Sequence, residues 1–348
     1  MLQQINYHCF SGRPLQCGYY ATLIFIREYG VGMMSKQIIR SIMSLMLIGA
    51  LYGSEAIAGP ILGADLASFT VLGAETVTNV PTSTIGGNVG VWSSDGANAI
   101  TGFNSSPGVA VSDSQVTGGL VHAGTALAQS AQGQLTTARN NLSSLGPGTI
   151  LINPDLTGLI LAPGVYTVAT GTTNLSGVLT LDGGGNANAA WVFQMESTLI
   201  TSPNSVVNMI NTGDGAGLFW NVASSATIDT NTTFLGNILA LTSISMNTTA
   251  TDRCGRALAD TGAVTLQQNT LSRYCTGNIA GSDGLGGGLD VTTTPEGTVV
   301  TFLPFEPAAV PEPTTLALLG FGLVGLGLSC RRRIQDKQSG KRLAFNLS

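Results

Sequence analysis

The sequence predicts a mainly β fold, an irregular β-solenoid of stacked short strands with one long helix alongside. Three observations carry this. From about Trp191 onward, apolar and hydroxyl residues alternate in short runs broken by Gly, Asn and Asp, the pattern of strands with one buried face. Three of these runs superpose: Ser225-Ala226-Thr227-Ile228, Ser243-Ile244-Ser245-Met246 and Ala263-Val264-Thr265-Leu266, with starts 18 and 20 residues apart. Repeats of that length holding several strands indicate a solenoid. The composition fits: 46 of 348 residues are Gly, 43% are hydrophobic and 9% charged, against roughly 25% charged in ordinary soluble chains. Tight corners need such glycine, and this much apolar residue excludes disorder. The glycines keep no three-residue period, which excludes collagen. A β-sandwich is the rival fold, because it too alternates between frequent turns.

The elements follow in chain order. Lys36 and Arg40 precede an apolar run, residues 42–51, and then Ala56-Ile57-Ala58. This charged, apolar, small-residue order is a secretory signal peptide cleaved after Ala58, so residues 1–58 form a leader whose true start is Met33 or Met34. Phe69 to Leu72 and Val89 to Trp92 are strand-like and need partners, which the later coils supply. Leu120, Ala123, Leu127, Ala131, Leu135, Ala138 and Leu142 recur every three or four residues. They predict an amphipathic helix over about 120–145, ended by Gly146-Pro147-Gly148 and lying along one side of the solenoid. The solenoid domain spans 59–280 and a Gly/Thr/Pro linker 281–310. Within the coils, Ala226/Ile244/Val264 and Ile228/Met246/Leu266 stack inward. Ser225/Ser243/Ala263 and Thr227/Ser245/Thr265 stack outward, at the spacing of neighbouring strands.

Chemistry is sparse in this chain. Residues 59–310 hold four Arg and no Lys against fifteen Asp and Glu, a net charge of −11, so nucleic acid is not an expected partner. Cys254 and Cys275 are the cysteines left between the two ends, and they pair as a disulfide closing a loop of about 20 residues, which contributes about 3 kcal/mol. With His122 they are too few for zinc. His122, the lone histidine of that region, has no nucleophile elbow near it. The carboxylates are spread singly, and Asp182 and Asp214 sit in Gly-rich turns. We therefore expect no enzyme, no cofactor and no metal; a carbohydrate lyase on the same solenoid ranks third among the functions considered.

At the far end Val310-Pro311-Glu312-Pro313 precedes an uncharged span, 314–330, and then Arg331-Arg332-Arg333 and a basic tail. The span is at the lower limit of a membrane crossing. This order resembles the PEP-CTERM sorting signal of Gram-negative bacteria, over 311–348. The resemblance implies export, a membrane stage through the span, and processing by an exosortase-type protease at the cell surface.

Six stretches in the middle of the chain, Asp65 to Gly73, Thr117 to Gly124, Leu161 to Tyr166, Trp191 to Gln194, Leu235 to Ala240 and Gly255 to Ala259, together resemble the microbial ice-binding (antifreeze) family. The resemblance implies a right-handed solenoid of triangular section with a long helix packed alongside. It also implies binding to ice through one flat face, with growth and recrystallisation inhibited and no catalysis. That family has no fixed ice-binding code, so the face is assigned from the outward columns: Ser225, Ser243 and Ala263 beside Thr227, Ser245 and Thr265, with Thr76 and Thr78 extending it. Asp229, Asn247 and Gln267, the next outward positions, are more hydrated and mark a departure. The alternative is an adhesin or exopolysaccharide matrix protein on the same scaffold, since fold does not fix function.

Overall fold

Three short parallel strands per turn of chain, each joining its own ladder, build the protein from the repeat upward. The computed structural model describes residues 58–308, apart from 94, 95, 97, 98, 169, 170 and 296. The leader before Ala58 and the sorting segment 311–348 lie outside the described residues.

The first ladder runs, in spatial order, through Thr149–Leu151, Gly164–Val168, Ala190–Met195, Gly217–Val222, Thr233–Ala240, Thr251–Ala259, Phe69–Gly73, Asn88–Val91 and Val121–Ala123. The second runs through Thr173–Leu175, Leu199–Thr201, Ala226–Ile228, Ile244–Met246, Val264–Leu266, Thr76–Asn79 and Ala99–Thr101. The third includes Val178–Asn186, Val206–Thr212, the starts of 233–240 and 251–259, Thr270–Ser272, Thr84–Gly86 and Val116–Thr117. Strands 233–240 and 251–259 pass from the third ladder into the first at stacked glycines. A Cβ on Gly236 (φ 100°) would meet the Leu218 side chain, and one on Gly255 would strike the Gly236 carbonyl. Only glycine turns that corner.

Spatial and sequence order disagree at one place. The turn made of 69–73, 76–79 and 84–86 docks in parallel on the turn made of 251–259, 264–266 and 270–272, in the registers Val71↔Ala257, Val77↔Val264 and Leu271↔Ile85. The early strands thus find their partners in the last coil. Helix α2, Ala126–Ser143, makes this possible by carrying the chain back along the stack. Its 18 residues cover about 27 Å of the roughly 38 Å that eight strand steps require.

The first ladder is covered on both faces over its central strands, so these read as largely apolar. Inward, Tyr166, Phe193, Trp220, Ile238, Ala257, Val71, Val89 and Val121 form one register column. Phe193 and Trp220 stack at 4.3 Å and 9°. Outward, Val192, Phe219, Leu239, Leu258 and Leu72 meet Ala128, Ala131, Leu135, Ala138 and Leu142 of α2, and a single turn, α1 (Ala64–Ala67), buries Leu66 there.

Two expectations need correction. The helix starts at 126, not near 120: residues 121–123 are a strand, Gly124 turns at φ 65°, and Thr125 caps α2 by accepting the Ala128 N–H. Ala123 is buried by the ladder and Leu120 is 39% exposed, so helical spacing continued by chance across the boundary. The stretch 281–310 is more than a linker. Leu289–Thr294 and Gly297–Phe302 form a hairpin that pairs antiparallel with Ala58–Pro60. Residues 303–308 are stitched to the turn at 185–188 through Ala187 N–H to Glu306 C=O and Ala308 N–H to Gly185 C=O.

Candidate functional site

The strands Thr173–Leu175, Ala226–Ile228, Ile244–Met246 and Val264–Leu266 of the second ladder are three residues long and buried, half-buried, buried in turn. Ala226, Ile244 and Val264 sit in one inward column and Ile228, Met246 and Leu266 in the other, all fully or almost fully buried. One side chain per strand then faces outward. Register places Asn174, Ile200, Thr227, Ser245, Thr265, Thr78 and Thr101 in a single file. Thr78 therefore lies directly beside Thr265, although 187 positions separate them in the sequence.

Two positions earlier stand Thr198, Ser225, Ser243, Ala263, Thr76 and Ala99, the second outward file. Its serines are braces as well as surface: Ser225 Oγ lies 2.7 Å from Thr242 Oγ1, and Ser243 Oγ accepts the Ala263 N–H at 3.1 Å. The hydroxyls of Thr76, Thr78, Thr227, Ser245 and Thr265, by contrast, have no hydrogen-bond partner among the described residues. Neither file contains a charge, and none of the ladder's pairings has a register shift.

Asp229, Asn247 and Gln267 flank the two files. Asn247 Nδ2 donates to Asp229 Oδ1 at 2.9 Å. That bond and the Thr230 N–H hold the Asp229 carboxyl below its ordinary pKa. These residues tie the corner together and form the edge of the face.

The sequence reading missed a comparable file on the third ladder. Thr233, Thr251, Thr270 and Thr84 are register neighbours, continued by Val206 and Val178. A signal existed, since Thr233, Thr251 and Thr270 recur at 18 and 19 residues, the period of the repeat. This side is less regular. Its register shifts between Asp182 and Asn186 and between Phe234 and Gly236. Exposed Arg253 interrupts it, and Tyr274 closes its end by donating to the Gly118 carbonyl at 2.7 Å.

His122, Asp182 and the two cysteines are engaged in the fold. His122 is 5% exposed, its Nδ1 lies 3.1 Å from the Thr125 hydroxyl, and its ring meets Phe69 edge-on. Burial holds the imidazole below its ordinary pKa. Asp182 accepts from Gly184 N–H and Asn211 Nδ2, the work of a turn former. Cys254 and Cys275 are disulfide-bonded, with Cα atoms 4.7 Å apart, and among the described residues no cluster of three His, Cys, Asp or Glu side chains could hold a metal.

Comparison with known proteins decides the family. The model of the "Ice-binding-like" family matches residues 71–272. The chain belongs to the ice-binding-like family. A curated ice-binding protein of Nostoc sp. (strain HG1) is 40% identical over 82% of this chain and 92% of its own length; one from Flammulina populicola is 32% identical over 66% and 96%. Among solved structures, an ice-binding protein from an Antarctic biological consortium is 32% identical, with a TM-score of 0.53 over 62% of this chain and 91% of its own. The corresponding domain of a Shewanella frigidimarina ice-binding protein is 27% identical, with a TM-score of 0.54 over 62% and 98%. Residues 309–333 match the PEP-CTERM protein-sorting motif, so this ice-binding-like chain carries a sorting signal behind its folded body.

Proposed function

We propose that this member of the family binds ice crystals through the outer face of the second ladder and thereby inhibits ice growth and recrystallisation. The observation that carries the reading is the pair of uncharged outward files, in unbroken register across the ladder. They form a grid of about 4.8 Å between strands and about 6.6 Å along them. Methyl and hydroxyl groups at that spacing, fixed by fully buried side chains beneath, order water without the hydration shells that Lys or Glu would hold. The curated relatives are themselves named ice-binding proteins, which supports the same assignment.

The fold that presents this face is a right-handed solenoid whose three ladders are the sides of a triangular section. In this reading Thr227, Ser245, Thr265, Thr78 and Thr76 are the contact residues, Ser225, Ser243 and Ala263 the second row, and Asp229, Asn247 and Gln267 the rim. A signal peptide ending at Ala58 exports the chain. An exosortase-type enzyme acts on the segment beginning Pro311-Glu312-Pro313, with Arg331 to Arg333 on the cytoplasmic side until then, and delivers the body to the cell surface or the medium.

The test is ice-recrystallisation inhibition and thermal hysteresis of the purified chain, oxidised, beside the double variant Thr227→Tyr/Thr265→Tyr. Activity in the parent and its loss in a variant that still melts cooperatively support the assignment; activity surviving both substitutions places the site elsewhere.

A further inference from the structure

The two ends of the stack are finished differently. At one end the first ladder stops at Val121–Ala123, and the chain closes that edge itself. Ala110–Val111 pairs antiparallel with it, in the register Ala110↔His122 and Val111↔Val121, and Gly108 N–H donates to the Ala123 carbonyl. At the other end the last coil is residues 149–161. Thr149–Leu151 pairs with Gly164–Val168, and Ile160–Leu161 pairs with Val178–Asn186. Among the described residues no strand covers the outer edge of either.

That bare coil is apolar. Seven of its thirteen residues are Ile or Leu. Leu156 is buried, whereas Leu151, Leu159 and Leu161 are only partly buried against the end of the core. Around them Ile152 is 89% exposed, Ile160 72% and Ile150 57%. The coil carries one charge, Asp155, and its own turn uses it: the carboxylate accepts the Thr157 N–H at 3.0 Å, the Thr157 hydroxyl at 2.6 Å and the Ser176 N–H at 3.3 Å. Neither outer strand holds the charge or proline that keeps exposed sheet edges apart.

We infer that this end docks on the same end of a second copy of the chain. A free strand could extend one of the two edges. A second copy presents both edges, with the leucines between them, at the matching spacing. Under a two-fold axis Thr149–Leu151 of each copy runs antiparallel to the other, so peptide groups pair across the junction and the isoleucines leave water. Charge singles out this surface as well. Residues 59–310 carry a net −11, so two copies repel over most of their area, and the coil adds a single carboxylate to that repulsion. The opposite end cannot receive the coil, because its first-ladder edge is already paired. Copies therefore meet in closed pairs and do not grow into filaments. A single coil offers less than the roughly 800 Å² per partner of a standard interface, so the pair is weak.

The test is sedimentation equilibrium of the full chain in density-matched detergent, loaded from about 10 μM to about 1 mM. The expected result is a monomer–dimer equilibrium with a Kd of about 0.1 mM. Ile152→Lys/Ile160→Lys should raise that Kd about tenfold or more. Val109→Lys, at an exposed position of the covered end, makes the same kind of charge change and should leave the Kd at the parent value. If the double variant fails to melt cooperatively, Ile152→Lys alone, at the most exposed of the three isoleucines, replaces it with the same direction of change. A parent that stays monomeric at about 1 mM overturns the assignment. So does equal association of the parent and the isoleucine variant, as contact through residues 311–348 would give, or a loss with Val109→Lys as large as theirs.

Discussion

The second and third ladders are laid down by the same turns of chain, yet the outward files of one are uncharged and in unbroken register and those of the other are not. The second ladder is built from strands of about three residues, each ended by a corner, so no strand is long enough to bulge. In the third, strands of seven to nine residues cross corners, shift register and admit Arg253. Both carry a file of threonines. Threonine by itself therefore identifies exposed parallel strand, for which it has a high propensity; regularity and absence of charge are what the proposed ice-binding face adds.

The largest expected effect separates the two files. Thr227→Tyr/Thr265→Tyr should reduce ice-recrystallisation inhibition by about tenfold or more, whereas Thr251→Tyr/Thr270→Tyr on the third ladder should leave it near the parent value. Equal losses in a dilution series of the two variants would refute the distinction. Next comes the support beneath the face. Leu266→Ala removes a fully buried side chain directly behind the Thr265 file and should cost about 2–5 kcal/mol, measured by denaturant unfolding. Reduction of Cys254–Cys275, which closes the third side, should cost about 3 kcal/mol by the loop it releases, seen as a lower melting temperature while ice activity below that temperature is kept.

The smallest effect concerns charge inside the third ladder. Asp252 is fully buried, and its carboxyl oxygens have no well-formed hydrogen bond. Burial pushes its pKa up to about 8, while the Cys254 and Gly236 peptides and the Arg256 charge only partly offset that. The folded chain thus keeps a proton that the unfolded chain releases, so stability should fall as pH rises from about 4 to about 8. Asp252→Asn should remove that slope and stabilise the protein at pH 8 by about 1–3 kcal/mol. What remains should be the opposite dependence of His122, whose neutral form burial favours: stability lost as pH drops below about 6.5. Melting curves across pH decide both signs.

Much of this architecture was legible because inward columns repeat with the coil: Ile244 beneath Val264, Met246 beneath Leu266. The helix was legible from Leu127 to Leu142 and misjudged only at its start, where Gly124 and the Thr125 cap outweigh spacing. The hairpin at 289–302 was not, because its Thr- and Val-rich strands sit among Gly and Pro and lie outside the repeat. The threonine file at 233, 251, 270 and 84 escaped notice because its fourth member comes from the opposite end of the chain.

The docking of the first coil on the last has a kinetic side. Val71 and Ala257 are 186 positions apart, so this junction closes late, after the coils on either side of it have formed. Until then the molecule displays two complementary rows of unpaired peptide groups, one on strand 69–73 and one on strand 251–259. A second copy in the same state offers the matching rows. At high concentration the open halves can close on each other, giving a domain-swapped dimer in which every strand pairing described above is preserved between chains.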